Sequence, residues 1–271
     1  MRFGLDLAQQ RMSFSELVKR AHFADATGFD GIWGFDHFQP MYGEGPGECF
    51  EGNTTLAALS GHTERVRLGL LVTGLTYRHP AVFAAEAITL DHASDGRFEL
   101  SYGAAWFEHE HQALGIPFLS TSDRIDAFEE AVQIVRGLLT TDGFTFIGKY
   151  FQVNDATLRP RPVQKPHPPI WIGASGEKRT MPIAAKYADT WHCFGPVEIL
   201  KPKSDRISDH AVAAGRDPDS ILRAASLSLD DDWDDVARTI DGWRAAGFGY
   251  LVCGWPGAGQ ERVEQFVERF L

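Results

Sequence analysis

Asp36 and His37 stand side by side in the run Gly34-Phe35-Asp36-His37-Phe38. An imidazole can give or take a proton near neutral pH, and a neighbouring carboxylate can orient it or hold a ring amide. Trp33 and Phe38 flank the pair and could wall an aromatic ligand. A helix cap beside a satisfied histidine fits the same residues equally well. A second candidate is Gly173-Ala174-Ser175-Gly176, followed by Lys178, Arg179 and Thr180. Small residues let backbone N–H groups approach a phosphate, the Ser175 hydroxyl can donate, and Lys178 or Arg179 can add positive charge. A tight turn capped by Ser175 is the alternative. The segment is neither GxGxxG nor a Walker loop, so no dinucleotide or nucleoside triphosphate is assigned to it.

The third candidate is Gly103-Ala104-Ala105-Trp106-Phe107-Glu108-His109-Glu110-His111. Gly103 and the alanines leave room for a flat ligand, against which Trp106 or Phe107 could pack. His109 and His111 alternate with glutamates, but no second ligand cluster accompanies them, so a structural role is expected and no metal is assigned. Tyr77-Arg78-His79 either adds polar contacts or simply closes a strand before Pro80.

These runs share a position: each follows a short apolar stretch that reads as a strand. Phe3 to Ala8 is the first strand, and a helix starts near Ser13, whose spacing to Glu16 is that of a capping box. Strands at 31–34, 66–72 and 98–102 follow, with helices near 54–61 and from Pro80, then a helix over about 123–139. From 140 to 169 the rhythm breaks into a hairpin near 145–147 and 150–153 and a proline-rich extended lead-in. Strands at 170–172, 190–193, 221–227 and 249–253, with helices at 179–187, 202–214, 234–246 and 260–270, complete eight units. The expected fold is α/β, a (β/α)8 TIM barrel forming one domain over 1–271, with an irregular excursion at about 140–169. In such a barrel the residues after each strand converge on one face, which brings the three candidates together.

The 271 residues suffice for one such barrel. Lys and Arg total 26 against 37 Asp and Glu, a net charge of −11, so the positive footprint of a nucleic-acid binder is missing. No run is long enough to cross a bilayer, and the first residues read as a strand rather than an export signal. Cys49, Cys193 and Cys253 are odd in number and widely spaced, which suits a reducing, cytoplasmic setting.

The sequence resembles the luciferase-like flavin/deazaflavin oxidoreductase family, on its coenzyme F420-dependent branch. The resemblance is carried by FDHF at 35–38, LGLLVTGLTYRHPAVFAAEAITLDHASDGRFEL at 68–100, YGAAWFEHEHQALGIPF at 102–118 and RPRPVQKPHPPIWIGASGEKRTMPIAAKYADTW at 159–191. It implies a modified TIM barrel of the bacterial-luciferase-like type, with F420 at its C-terminal face, or FMN in the alternative. Asp36 and His37 would lie beside the cofactor ring, with His37 assisting proton removal as hydride leaves a small organic substrate. Leu71, Val72 and Thr73 match a region that often holds a non-proline cis peptide behind the ring. Gly103, Ala104 and Trp106, and Gly173, Ala174, Ser175, Gly176, Arg179 and Thr180, match segments near the cofactor tail and phosphate. Two departures stand out. Gly103-Ala104-Ala105 lacks a second glycine common in relatives, and Trp106 occupies the approximate position of a catalytic glutamate in sugar-phosphate dehydrogenases. That weakens sugar-phosphate chemistry and leaves general F420-dependent redox chemistry. The alternative is an FMN-dependent monooxygenase using reduced flavin and oxygen; a non-redox phosphate-binding barrel ranks behind it. A homodimer is one assembly open to the chain.

Overall fold

The computed structural model describes all 271 residues. Its strands are β1 (Arg2–Asp6), β2 (Gly31–Gly34), β3 (Arg67–Leu70), β4 (Leu100–Tyr102), β5 (Phe144–Ile147), β6 (Gln152–Ala156), β7 (Ile170–Gly173), β8 (Thr190–His192), β9 (Leu222–Leu227) and β10 (Tyr250–Gly254). The helices are α1 (Phe14–Ala26), α2 (Gly52–Ser60), α3 (Pro80–Ala93), α4 (Glu108–Leu114), α5 (Thr121–Thr140), α6 (Thr180–Tyr187), α7 (Val197–Ala213), α8 (Trp233–Ala245) and α9 (Gln260–Phe270). Eight strands form one parallel sheet in the order β3-β2-β1-β10-β9-β8-β7-β4. Its two edges meet: the Leu68 N–H donates to Arg97 O at 3.0 Å, and the Glu99 N–H to Leu68 O at 2.8 Å. Beyond a gap the pairing resumes between Gly74 and Gly103. The result is the expected (β/α)8 barrel, nearly closed, with helices outside.

Local signals explain most element starts. Ser13 caps α1 by accepting from the Glu16 N–H at 3.2 Å. Glu16 does not complete the capping box; its carboxylate pairs with Arg20 one turn on, at 3.2 Å. Pro80 opens α3, where its missing N–H costs nothing, and His79 Nδ1 accepts from the Ala81 N–H. The expectation that α7 begins at Pro202 is corrected: it begins at Val197 and carries Pro202 inside. The proline forgoes one ladder bond, but Leu200, Ser204, Ile207 and Ala211 form a buried stripe on both sides of it that holds the helix. The hairpin β5–β6 is antiparallel and outside the barrel. Glu130 of α5 anchors it, accepting from the backbone N–H groups of Lys149, Tyr150 and Phe151. The chain then returns past α3, where Gln164 bonds to buried Asp91.

Inside the barrel Trp33, Trp171 and Tyr250 pack together, with Trp33 and Trp171 ring centroids 4.2 Å apart. Each indole is satisfied: Trp33 donates to the Tyr250 hydroxyl at 3.1 Å, and Trp171 to Glu99 at 2.7 Å. Glycines make room for this cluster. A Cβ on Gly4 would fall 2.4 Å from the Trp33 ring nitrogen, and one on Gly69 equally close to the opposite edge of the same indole. Trp33 is therefore core, which corrects its reading as a ligand wall.

Candidate functional site

At the C-terminal ends of β2, β3, β4, β7 and β8 lies a cavity of about 440 Å³. Of the candidate residues it is lined by Asp36, His37, Leu71, Val72, Gly103, Ala104, Trp106, Gly173, Ala174, Ser175 and Thr180. Gly74, Tyr77, Ala105, His192, Cys193 and Phe194 complete the lining.

His37 is held by Glu110, not by Asp36. Glu110 is fully buried at the start of α4, and its carboxylate accepts four hydrogen bonds. One oxygen takes the backbone N–H groups of Phe38 at 2.7 Å and Gln39 at 2.9 Å. The other takes the Tyr77 hydroxyl at 2.6 Å and faces His37 Nδ1 at 3.2 Å. Burial works against its charge, but these donors outweigh it and hold the Glu110 carboxyl below its ordinary range. Burial and the same carboxylate drive the Tyr77 phenol far upward, so it stays a hydrogen-bond donor. With Nδ1 donating to Glu110, the neutral ring of His37 presents Nε2 as an acceptor.

Asp36 serves a different purpose. Both its oxygens face Arg78, at 2.7 and 3.0 Å, and the Gly74 N–H donates to it at 2.8 Å. Arg78 is also paired with Glu51, and with Glu86 at 3.2 Å. Asp36 thus ties the loop after β2 to the turn after β3; burial pushes its carboxyl up, and Arg78 and the Gly74 N–H pull it back. It lines the cavity without orienting the imidazole.

The Leu71–Val72 peptide is cis, as the resemblance implied, and Val72 stands at the cavity wall. A Cβ on Gly103 would come within 2.6 Å of Val72, so glycine here lets the chain leaving β4 pass this close. Ala105 adopts φ +60°, the left-handed region that glycine occupies freely. Trp106 is 66% exposed at the mouth, its ring 6.0 Å from His37.

Three candidates lie elsewhere. Thr73 is buried behind the wall. The Gly176 N–H is taken by the Thr180 hydroxyl at 3.0 Å. Arg179 turns away to α5, where Asp126 and Ser122 bind it, because a carboxylate within reach outcompetes solvent. A cation the sequence reading missed stands closer: Lys203 of α7 donates to Ser175 O at 2.8 Å. His109 and His111 do not converge; His111 is buried and satisfied by Thr76 at 2.6 Å and Phe107 O at 2.8 Å. Phe38 packs on Tyr77 outside the cavity.

His192 was also missed. It ends β8, is fully enclosed, and approaches the Ser226 hydroxyl at 3.3 Å. Burial pushes its pKa down to about 4, so it lines the cavity as a neutral ring. Leu71 and Phe194 also line a second cavity on the same face, of about 310 Å³, at the C-terminal ends of β1, β9 and β10.

The family model described as luciferase-like monooxygenase matches residues 1–264. The chain belongs to the luciferase-like family. Among its relatives, the FMNH2-dependent dimethylsulfone monooxygenase of Pseudomonas putida is 30% identical over 198 residues, 73% of this chain and 53% of that protein. The F420-dependent glucose-6-phosphate dehydrogenase of Microbacterium testaceum (strain StLB037) is 31% identical over 242 residues, 89% of this chain and 65% of that protein. The chain thus spans between half and two thirds of the length of these two curated relatives. The structure of an F420-dependent secondary alcohol dehydrogenase, in complex with an F420-acetone adduct, superposes with a TM-score of 0.87 at 20% identity. It covers 98% of this chain and 97% of the other. That likeness establishes a shared luciferase-like fold.

Proposed function

We propose that this luciferase-like chain is an F420-dependent oxidoreductase acting on a small organic substrate. The observation that carries the reading is the extent of the match to the F420-dependent relative, 89% of this chain, beside a cavity at the barrel mouth walled by small residues. The cavity has room for a flat ring where Gly74, Gly103, Ala104, Gly173 and Ala174 keep part of its wall free of side-chain bulk. F420, when bound, supplies a ring that takes up or gives back a hydride.

This chain's own residues would do the rest. Val72, Gly103 and Ala104 would back the ring, while Ser175, Thr180 and Lys203 would meet the phosphate-bearing tail. His37, through Nε2, would take the proton from the substrate as hydride leaves its carbon, and return it in the reverse direction. Glu110 would hold the imidazole in that tautomer and offset the positive charge it gains. Leu71 and Phe194 would border the ring on the side where the substrate approaches.

The second reading, an FMN-dependent monooxygenase, is favoured by the match to the dimethylsulfone enzyme, which covers less of this chain. Titrating the protein separately with oxidised F420 and with FMN discriminates the two; F420 is expected to bind, and binding of FMN alone would overturn the reading. In the F420-loaded enzyme, His37→Ala should lower turnover on the order of a hundredfold or more while cofactor binding persists. Unchanged turnover would remove His37 from proton transfer. A cytoplasmic location and a homodimer belong to the same proposal. Cys49, Cys193 and Cys253 are free thiols, and no helix is long and apolar enough to cross a membrane. Fractionation and light scattering test these two points.

A further inference from the structure

The second cavity has a different chemistry from the first. Fourteen residues line it, and not one is Lys, Arg or His. Leu227, Leu229, Val252 and Trp255 give it apolar walls, and Ser226 and Ser228 add hydroxyls. At its base Asp6 ends β1 and forms no ion pair. One carboxyl oxygen accepts from the Ala8 N–H at 2.9 Å, and the other has no protein donor. The arginines that approach the rim are engaged elsewhere. Arg11 donates to Tyr42 O at 2.7 Å, Arg262 to Leu229 O at 2.7 Å, and Arg20 stacks on Trp255 while paired with Glu16. A phosphate or carboxylate entering here would lose its hydration, find no cation and face an unpaired carboxyl group. A hydroxyl or an ammonium group would instead give that group the partner it lacks.

We propose that this chamber holds the part of the substrate remote from its reacting carbon, and that it selects phosphate-free organic molecules, neutral or cationic, in which one hydroxyl or amino group binds Asp6 while the reacting carbon reaches past Leu71 and Phe194 towards His37. Its volume of about 310 Å³ suits a compact molecule with an apolar body. Leu71 and Phe194, shared with the first cavity, are where such a molecule would meet the cofactor side. Calling the molecule a substrate rests on the F420 reading; the binding chemistry of the chamber does not.

Three probes with one apolar body test it: cyclohexanol, cyclohexylamine and cyclohexyl phosphate. Binding of each to the full chain is followed by ligand-detected NMR, with and without F420. The alcohol and the amine should bind in both cases, and the phosphate ester about tenfold or more weaker. Asp6→Asn should weaken the amine about tenfold, the loss of one charge-assisted hydrogen bond, and leave F420 affinity unchanged. Ser228→Phe, which fills the chamber from its rim, should abolish binding of every probe and serves if Asp6→Asn does not fold. The proposal is overturned if the phosphate ester binds as well as the amine, if no probe binds, or if the probes compete with F420. It also fails if amine binding ignores both substitutions. Failure of F420 itself to bind would instead refute the proposed cofactor, and the probes would still decide the chamber.

Discussion

Glu110 shows what adjacency in sequence conceals. Asp36 precedes His37 directly, so the two read as a pair. Consecutive side chains in extended chain point to opposite sides, and here Asp36 turns to Arg78 while His37 turns to a carboxylate 73 residues away. That partner was visible only as one of two acids in the loop after β4, with nothing local to separate Glu110 from Glu108. The Gly103 and Gly173 segments were easier to locate, because their small residues sit at strand ends. Glu110→Gln replaces an accepting oxygen with a donating nitrogen. Either the Phe38 and Gln39 amides or the Tyr77 and His37 donors then face another donor. A buried donor without a partner costs about 1–3 kcal/mol, so the melting temperature should fall. In the F420-loaded enzyme turnover should fall too, with cofactor affinity nearly unchanged. Turnover equal to the parent at matched folding would show that His37 needs no such support.

The elements of the barrel were legible because strand and helix leave different periods in the sequence, and eight alternations leave few topologies. The starts of α1 and α3 were marked by Ser13 and Pro80. The early start of α7 was hidden behind Pro202, since a proline signals a start or a break while a buried stripe can override it. Hidden too was the fit between Trp33 and its glycines. Gly4, Trp33 and Gly69 lie on β1, β2 and β3; register pairs Trp33 with Gly69 and sets Gly4 two residues before the Trp33 partner Asp6, within reach of the indole. Gly69→Ala therefore tests the register of the core directly. Its Cβ would meet Trp33 at 2.4 Å, and overpacking of this kind costs about 1–3 kcal/mol. For a chain of this size the melting temperature should drop by about 2–4 °C for each kcal/mol, readable by calorimetry. An unchanged melting temperature would mean that Trp33 has room to move.

Across the whole molecule, two titratable groups at the barrel mouth, buried His192 and half-buried Asp6, pull stability in opposite directions with pH. His192 has its folded pKa depressed to about 4 by burial, so its contribution is complete above about pH 6.5 and is lost as pH falls towards 4. The full loss is on the order of 3 kcal/mol. Asp6 has its carboxyl raised to about 6, by burial first, with the Ala8 N–H pulling it back. Its contribution is complete below about pH 4 and is lost as pH rises through 6. Melting temperatures measured from pH 4 to 7.5 should therefore fall less steeply on the acid side in His192→Gln than in the parent, and more steeply in Asp6→Asn. Parallel curves for all three would refute the assignment. Neither group could be placed in this role from sequence. His192 sits in an apolar strand end, and Asp6 reads as an ordinary acid until the strands around it close.

The presence of Leu71 and Phe194 in both cavities has a bearing on how this protein could be changed. One chamber draws its walls mainly from β2, β3, β4, β7 and β8, the other mainly from β1, β9 and β10. Substitutions confined to opposite sides, with no shared partner, should combine additively in double-mutant cycles, whereas pairs that include Leu71 or Phe194 should not. Recognition of the two ligands would then be separable by design or by descent, one set of strands being free to vary while the other is kept. Leu71 and Phe194 are where that independence would end.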